Sequence, residues 1–218
     1  MAAEYFCVTC RTPFQNHFPL DESGRCHLCR AGARGFDAAY CFGSYEGTLR
    51  ELIHLFKYSR MKPLSRTLAA NLLSALPRDQ RFDVVVPMPL HWRRRWRRGF
   101  NQAELLARRT ARSCGIPVTN AVRRIRSTAT QAGLSNAKRR ENVAGAFRLR
   151  NRRGIQGRRV LLIDDVMTTG ATASACALAL KRGGASSVTL LALARVDRRF
   201  FEPAGEISKA FSRTTEGA

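Results

Sequence analysis

Two adjacent aspartates stand where an apolar segment of the chain ends. Residues 160–163 read Val-Leu-Leu-Ile, and Asp164 and Asp165 follow directly. An unbroken apolar run is typical of a parallel strand buried on both faces, and parallel sheets usually bind ligands at the carboxyl ends of their strands. Ionised carboxylates only accept hydrogen bonds, which suits a pair of sugar hydroxyls. The pattern therefore favours a sugar-binding site at the end of this strand.

The turn after the aspartates has the composition of a phosphate-binding loop. Residues 168–172 read Thr-Thr-Gly-Ala-Thr and lead into the helix-forming stretch 173–182. Hydroxyls and free backbone N–H groups at a helix N-terminus together suit an anion. One alternative is a turn without ligand, in which Asp165 or a threonine merely caps the helix. Another is a nucleotide triphosphatase loop, but that loop needs a lysine before its final Ser or Thr, where this chain has Ala171.

The whole segment resembles the signature of type I phosphoribosyltransferases, which use phosphoribosyl pyrophosphate (PRPP). The resemblance lies in the order hydrophobic, acidic, acidic, hydrophobic, followed by Thr-Thr-Gly. It implies that Asp164 and Asp165 hold the 2′ and 3′ hydroxyls of the ribose, and that Mg²⁺ is bound mostly by PRPP oxygens. The residues that would cradle the 5′-phosphate are Met167, Thr168, Thr169, Gly170, Ala171 and Thr172.

A second stretch, residues 82–107, begins with an apolar strand pattern and continues into a dense arginine run. The whole string resembles the competence protein F (ComF) family. In transferases of this fold the turn after the corresponding strand contacts pyrophosphate, so the resemblance assigns that loop to Pro87, Met88, Pro89 and Leu90. Arg94 and Arg95 are candidate phosphate partners.

A third stretch, residues 124–147, also resembles the ComF pattern and is expected to include a mobile active-site loop. Small and hydroxyl residues lie there between basic ones, which suits a segment that is loose without ligand. One of three basic residues would close over the leaving pyrophosphate, namely Lys138, Arg139 or Arg140.

Four cysteines near the amino terminus have the spacing of a zinc site. Cys7 and Cys10 form one C-x2-C pair, and Cys26 and Cys29 form a second pair after fifteen intervening residues. The spacing predicts a four-cysteine zinc ribbon, in which four thiolates leave no open position for catalysis, so the metal is structural. Two disulfides or a redox-active C-x-x-C are the alternatives, although a redox pair normally lies beside a strand and a helix.

The chain is strongly basic, with a net charge of +22 and a sequence pI of about 11.3. Residues 91–159 hold twenty Lys and Arg against Glu104 and Glu141, a local charge of +18. Such a stretch attracts polyanions with a marked salt dependence. In residues 91–100 aromatic rings alternate with guanidinium groups, as in many single-strand binders. The nucleic-acid candidates are Trp92, Arg94, Arg95, Trp96, Arg97 and Arg98. Alternatively, the arginines are ordinary solvated charge and the two tryptophans, four residues apart, pack one helical face onto the core.

Length and composition indicate one sizeable core with a small appendage, since 44% of the 218 residues are hydrophobic. The first thirty residues lack the apolar stretch of a secretory signal, and no apolar run is long enough for membrane insertion. With cysteines spaced for metal, we expect a cytoplasmic protein.

Hydrophobic periodicity predicts alternating strands and helices after the cysteines. Strands are expected at 36–45, 82–86, 116–122, 144–149, 160–163 and 187–196, and helices at 46–58, 63–76, 102–114 and 173–182. The fold class is therefore α/β, a mostly parallel sheet flanked by helices as in type I phosphoribosyltransferases, with a small zinc ribbon. The expected domains are a ribbon at 1–35, a phosphoribosyltransferase-like domain at 36–202 and a flexible tail at 203–218.

The ComF resemblance covers most of the chain and implies a link to DNA uptake and use. The leading hypothesis is a phosphoribosyltransferase-family protein that binds PRPP·Mg²⁺ and acts in the processing or transport of internalised single-stranded DNA, in natural transformation or in nutritional use of DNA. Single-stranded DNA and the DNA-uptake machinery are the candidate partners. A second hypothesis is a PRPP sensor that regulates DNA or partner binding without catalysis. A third is a DNA-binding module with a vestigial sugar-phosphate site. Turnover of PRPP discriminates the first two.

Overall fold

The computed structural model describes residues 5–10, 13–14, 20–30, 35–126 and 145–196. Its centre is a four-stranded parallel sheet in the order β3-β8-β7-β4. These strands are β3 (Ala38–Ser44), β4 (Val84–Pro87), β7 (Arg159–Met167) and β8 (Ser187–Arg195). The expectation of a mostly parallel sheet flanked by helices is confirmed.

Helices cover both faces of this sheet. They are α2 (Gly47–Tyr58), α3 (Ser65–Ser74), α5 (Gln102–Cys114) and α6 (Ala171–Arg182), and a 3-10 turn at Lys62–Leu64 precedes α3. The short helix α4 (Trp92–Arg98) has no buried residue and lies outside the core. In the first half of β7, Val160 and Leu162 pack with α6, while Leu161 and Ile163 pack with α2, α3 and α5. Because the central strands β7 and β8 are buried on both faces, they contain the continuous apolar runs 160–163 and 190–194.

The remaining strands form two small antiparallel pairs. At the amino terminus β1 (Tyr5–Phe6) pairs with β2 (Pro13–Phe14), and the short helix α1 (His27–Arg30) follows. The second pair joins β5 (Val122–Arg124) to β6 (Phe147–Leu149). The strands expected at 116–122 and 144–149 therefore contribute mainly to this second pair, and only Val118 forms a parallel bridge, to Val85 beside the main sheet.

The strand that carries the aspartate pair is longer than its apolar run indicates. β7 continues past Ile163 to Met167, because β8 runs alongside and Val166 and Met167 pair with Ala194 and Arg195. Backbone pairing decides where the strand ends, and the two carboxylates belong to the strand.

The expected tail at 203–218 and the loop candidates Lys138, Arg139 and Arg140 lie outside the described residues. No helix among the described residues is long and apolar enough to cross a membrane.

Candidate functional site

A polar cleft of about 160 Å³ lies at the carboxyl ends of β4 and β7. Its wall is formed by the carboxyl ends of these strands, by the turn before α6 and by the helices α2, α4 and α5. Among the residues singled out from the sequence, those that line it are Met88, Pro89, Leu90, Arg94, Arg98, Asp164, Asp165, Met167, Thr168, Gly170 and Thr172. The cleft also contains Lys57, Asn101, Gln102 and Arg124. Segments far apart in the sequence therefore meet at one site.

The two aspartates have different surroundings, although they are neighbours in the chain. Asp164 Oδ1 accepts a hydrogen bond from the backbone N–H of Asp165 at 2.8 Å. Asp165 Oδ1 instead lies 2.8 Å from Nζ of Lys57, in an ion pair whose side chains are 14% (Lys57) and 15% (Asp165) exposed. One carboxylate is thus held by the strand itself, and the other is joined to a helix outside the sheet.

The electrostatics of the cleft raise the pKa of the Asp164 carboxyl to about 7. Burial is the largest cause and the charge of Asp165 is the second, while Lys57 and Arg124 act in the opposite direction. The sequence led us to expect two ionised carboxylates. The structure indicates that Asp164 exchanges its proton near neutral pH, so its capacity to accept hydrogen bonds depends on pH.

The turn between β7 and α6 has the form of an anion-binding loop. Gly170 has a left-handed φ of 76°, and α6 begins directly after it at Ala171. The hydroxyl of Thr169 accepts a hydrogen bond from the N–H of Ala171 at 3.2 Å, which holds the turn closed. Thr168 and Thr172 line the cleft, whereas Thr169 and Ala171 do not. The turn thus presents two hydroxyl side chains at the start of a three-turn helix.

The loop after β4 is fastened to both neighbouring elements. The N–H of Met88 donates to the carbonyl of Ile163 at 2.8 Å. Asn101 donates from Nδ2 to the carbonyl of Met88 at 3.0 Å, and its Oδ1 caps α5 by accepting from the N–H of Ala103. Pro87 is the buried last residue of β4 and lies outside the cleft lining, whereas Met88, Pro89 and Leu90 face the cleft.

The arginine run forms the short helix α4, which has two different faces. Arg94 and Arg98, one turn apart, line the cleft. Arg95, Arg97 and both tryptophans lie outside the cleft and are exposed, with Trp92 at 64% and Trp96 at 85%. The alternative that the tryptophans pack onto the core is wrong. We call Trp92, Arg93, Arg95, Trp96 and Arg97 the outer face of α4.

Four cationic side chains surround the aspartate pair: Lys57, Arg94, Arg98 and Arg124. Burial lowers the pKa of Arg94 and of Arg124, and neighbouring guanidinium groups lower both further. Concentrated, partly desolvated positive charge of this kind favours a multiply charged anion. The site accordingly suits a ligand that combines sugar hydroxyls with several phosphates.

Four residues of the cleft were not singled out from the sequence as site residues: Lys57, Asn101, Gln102 and Arg124. Lys57 is visible there only as the basic end of the expected helix 46–58, and Arg124 only as one of many arginines. Each reaches the cleft through a tertiary contact between separate elements. The sequence carries no local signal for those contacts.

The four amino-terminal cysteines converge on one point, with all four Sγ atoms within 4.8 Å of one another. Cys7 Sγ lies 3.7 Å from Cys29 Sγ, and Cys10 Sγ lies 3.7 Å from Cys26 Sγ. Four thiolates about 2.3 Å from a zinc ion form a tetrahedron whose edges are about 3.8 Å. The cysteine cluster therefore has the donor set and spacing of a structural zinc site, and all four thiols are free of disulfides.

The cysteine cluster packs directly against the main sheet. Its four side chains are buried in the same core as Phe36, Ala39 and α6. The N–H of Ala39 in β3 donates to the carbonyl of Thr9 at 3.0 Å. Arg195, at the end of β8, donates from Nη1 to the carbonyl of Cys10. The segment is thus joined to the two strands at one edge of the sheet.

Comparison with known proteins identifies the family of the chain. Residues 55–214 match the family model described as phosphoribosyl transferase domain. Competence protein F from Haemophilus influenzae is 34% identical over 87% of this chain and 84% of its own. DNA utilization protein YhgH from Escherichia coli is 35% identical over 87% and 83%.

Among solved structures, the glutamine PRPP amidotransferase from Bacillus subtilis is 22% identical with a TM-score of 0.40, over 58% of this chain and 25% of that one. The family match spans most of the chain, and the ComF resemblance inferred from the motifs is confirmed by relatives that are more than 30% identical. The chain therefore belongs to the phosphoribosyl transferase domain family and is a homologue of Competence protein F.

Proposed function

We propose that this protein binds PRPP together with Mg²⁺ in the cleft and acts as a phosphoribosyltransferase in the handling of internalised single-stranded DNA. The observation that carries the proposal is the aspartate pair at the end of β7, enclosed by Lys57, Arg94, Arg98 and Arg124. Two carboxylates for hydroxyls and three guanidinium groups for phosphates match the two halves of PRPP.

Each part of PRPP has a matching wall of the cleft. Asp164 and Asp165 accept hydrogen bonds from the ribose 2′ and 3′ hydroxyls. The turn from Met167 to Thr172 receives the 5′-phosphate, with the hydroxyls of Thr168 and Thr172 beside the first N–H groups of α6. The loop from Pro87 to Leu90 and the guanidinium groups of Arg94 and Arg98 receive the pyrophosphate. Mg²⁺ enters with the substrate, bound mostly by PRPP oxygens.

In the proposed reaction, an acceptor forms a bond to the anomeric carbon while the bond from that carbon to pyrophosphate breaks. The leaving group takes the electron pair as its negative charge grows. The cleft contributes by positioning the ribose and by neutralising this charge. Arg94 and Arg98, which line the cleft, supply the neutralising positive charge. One of the three candidates Lys138, Arg139 and Arg140 is proposed to close over the pyrophosphate.

Single-stranded DNA is the proposed macromolecular partner, and the outer face of α4 is the proposed contact. Exposed indole rings provide stacking surfaces for bases, and the alternating guanidinium groups pair with phosphates. Arg93 already lies 5.3 Å from the Trp92 ring centroid, so the ring and the charge form one surface. The names of the relatives, which refer to competence and DNA utilization, support a role that involves DNA.

We further propose that Cys7, Cys10, Cys26 and Cys29 hold a structural zinc ion within a ribbon formed by residues 1–35, before the transferase-like domain at 36–202. The thiol spacing fits this metal. Four thiolates leave no position for a substrate, so the zinc serves the fold. A reduced site of four thiolates is typical of the cytoplasm, where we place the protein and its contact with the DNA-uptake machinery.

Isothermal titration with PRPP and Mg²⁺, in the presence and absence of single-stranded DNA, tests the central proposal. The wild type is expected to bind PRPP, and Asp164→Asn/Asp165→Asn is expected to abolish binding. Asp83→Asn is the matched control, since Asp83 pairs with Arg159 at the opposite end of the strands. Absence of binding by folded wild-type protein would refute the proposal.

Release of pyrophosphate from bound PRPP then separates an enzyme from a sensor. If PRPP binds and changes DNA affinity but no pyrophosphate is released with any acceptor tried, the sensor function replaces the transferase.

A further inference from the structure

Lys57 belongs to a helix outside the sheet, yet its ammonium group contacts the end of β7. It is the penultimate residue of α2, and Nζ lies 2.8 Å from Asp165 Oδ1. With 14% and 15% of their side chains exposed, Lys57 and Asp165 form the least exposed ion pair among the described residues. Because little water reaches this ion pair, the attraction between its two charges is stronger than in the more exposed pairs elsewhere in the fold.

The position of Lys57 is fixed by its backbone as well as by the ion pair. Its carbonyl accepts a hydrogen bond from Nε2 of the buried Gln102 at 3.4 Å. Oε1 of Gln102 in turn accepts from Nη1 of Arg98 at 3.3 Å. The amide of Gln102 therefore connects the end of α2 to a cleft-lining arginine of α4. This arrangement presents the lysine to the aspartate pair.

The aspartate pair needs such a cation, because two carboxylates on consecutive residues repel each other. Four elements contribute a titratable group close to Asp164: Lys57 from α2, Arg124 from β5, Cys41 from β3 and Cys176 from α6. Burial raises the pKa of both thiols, that of Cys41 to about 12, so they stay neutral. Of these four groups, Lys57 and Arg124 therefore supply the balancing charge, while Arg94 and Arg98 of α4 line the same cleft.

We propose that Lys57 is a positioning residue of the PRPP site, which holds Asp165 by one carboxylate oxygen and offsets the charge of the aspartate pair. This inference rests on the proposed function and deepens it. The other oxygen of Asp165 serves a ribose hydroxyl, and Lys57 keeps Asp164 ionised to a lower pH than it would otherwise be. The helix α2 thereby sets the pH range in which the site binds a sugar with vicinal hydroxyls.

The first test compares PRPP·Mg²⁺ binding by the wild type, Lys57→Gln and Lys57→Arg between about pH 6 and pH 9. Wild-type affinity is expected to rise with pH as Asp164 loses its proton. In Lys57→Gln the midpoint of this rise moves upward by about one pH unit, because a nearby opposite charge has been removed. Lys57→Arg keeps the charge and is expected to retain the wild-type midpoint.

Lys181→Gln is the matched control, since it also removes the lysine of a Lys–Asp pair, formed with Asp37 away from the cleft. Ionisation of the PRPP phosphates is common to all variants, so the difference between midpoints isolates the effect of Lys57. Equal midpoints for Lys57→Gln and the wild type would overturn the proposal.

A second test needs no ligand: the carboxyl ¹³C shift of Asp164 is titrated in wild type and Lys57→Gln. An upward shift of the Asp164 midpoint in the variant supports the role of Lys57, and an unchanged midpoint refutes it. If this shift occurs but the wild type fails to bind PRPP, the proposed function fails while the Lys57 contact to the aspartate pair stands. The two failures are therefore distinguishable.

Discussion

Arg195 donates a hydrogen bond from Nη1 to the carbonyl oxygen of Cys10, between residues 185 positions apart. The arginine is only 5% exposed. Its own backbone lies opposite Met167, the cleft-lining residue at the end of β7. A single buried guanidinium group therefore connects the cysteine cluster to the strand end that precedes the phosphate turn.

Replacing Arg195 with methionine should destabilise the protein, because the Cys10 carbonyl would lose its donor in a buried environment. The expected loss is about 1–3 kcal/mol in the free energy of unfolding, the usual cost of an unsatisfied buried polar group. Urea denaturation at saturating zinc measures it. Arg108→Met removes an exposed arginine that pairs with Glu104 within α5, and should change stability by less than about 0.5 kcal/mol. Equal stability of the two variants would disprove the role assigned to Arg195.

The purified protein is expected to contain one zinc ion per chain. Cys26→Ser should lose the metal and lower the thermal midpoint, because the cysteine cluster is part of the core beneath β3. Cys114→Ser, at the end of α5, is the control and should retain zinc. Metal analysis together with thiol titration of the unfolded protein decides the matter, since two disulfides would give no zinc and leave three of the seven cysteines as free thiols, whereas the zinc site gives seven.

Stability should depend on pH through Asp164. Burial and the neighbouring Asp165 raise the pKa of Asp164 from 3.8 to about 7, so the folded state retains a proton that the unfolded state releases. The free energy of unfolding therefore falls as pH rises from about 4 to about 7, by at most about 4 kcal/mol. Asp164→Asn removes this dependence and should be more stable than wild type at pH 8. Urea denaturation at several pH values between about 4 and 8 checks both statements.

Asp83→Asn provides the comparison for Asp164→Asn. Hydrogen bonds from Arg159 lower the pKa of Asp83 to about 2, so this aspartate is ionised throughout the same pH range. The free energy of unfolding of Asp83→Asn should be lower than that of the wild type by the same amount at every pH. The two curves of stability against pH are therefore parallel. If Asp164→Asn also gives a parallel curve, the pKa of Asp164 is not raised.

Local patterns in the sequence were sufficient for the parts of the site formed by consecutive residues. The apolar run before Asp164 predicted a buried parallel strand, and the Thr-Thr-Gly turn predicted a helix from 173, which in the structure begins two residues earlier, at Ala171. The pattern of cysteines likewise predicted a cluster that forms. In each case a backbone element of known geometry brings neighbouring residues together, so spacing alone carries the information.

Contacts between distant elements had no such signal. Lys57 looks like an ordinary basic helix end, and only the packing of α2 places it beside Asp165. Arg195 closes an apolar strand, and nothing local indicates that its guanidinium is buried under Cys10. The limits of β7 also depended on its partner β8, since hydrogen bonding extended the strand through the polar aspartates. Contacts between distant elements therefore determine the position of Lys57, the burial of Arg195 and the length of β7.

The two faces of α4 should be separable by mutation. Trp92→Ala/Trp96→Ala removes exposed rings, so it should leave folding and PRPP binding unchanged but weaken single-stranded DNA binding by about 1–3 kcal/mol per stacked base. Arg94→Ala/Arg98→Ala alters the cleft and should weaken PRPP binding. Fluorescence anisotropy with an oligothymidylate across a salt series, beside calorimetry with PRPP, measures both. If the tryptophan variant binds the oligonucleotide as the wild type does at every salt concentration, the outer face of α4 is not the nucleic-acid contact. In that case the arginines that enter the cleft account for the attraction of polyanions.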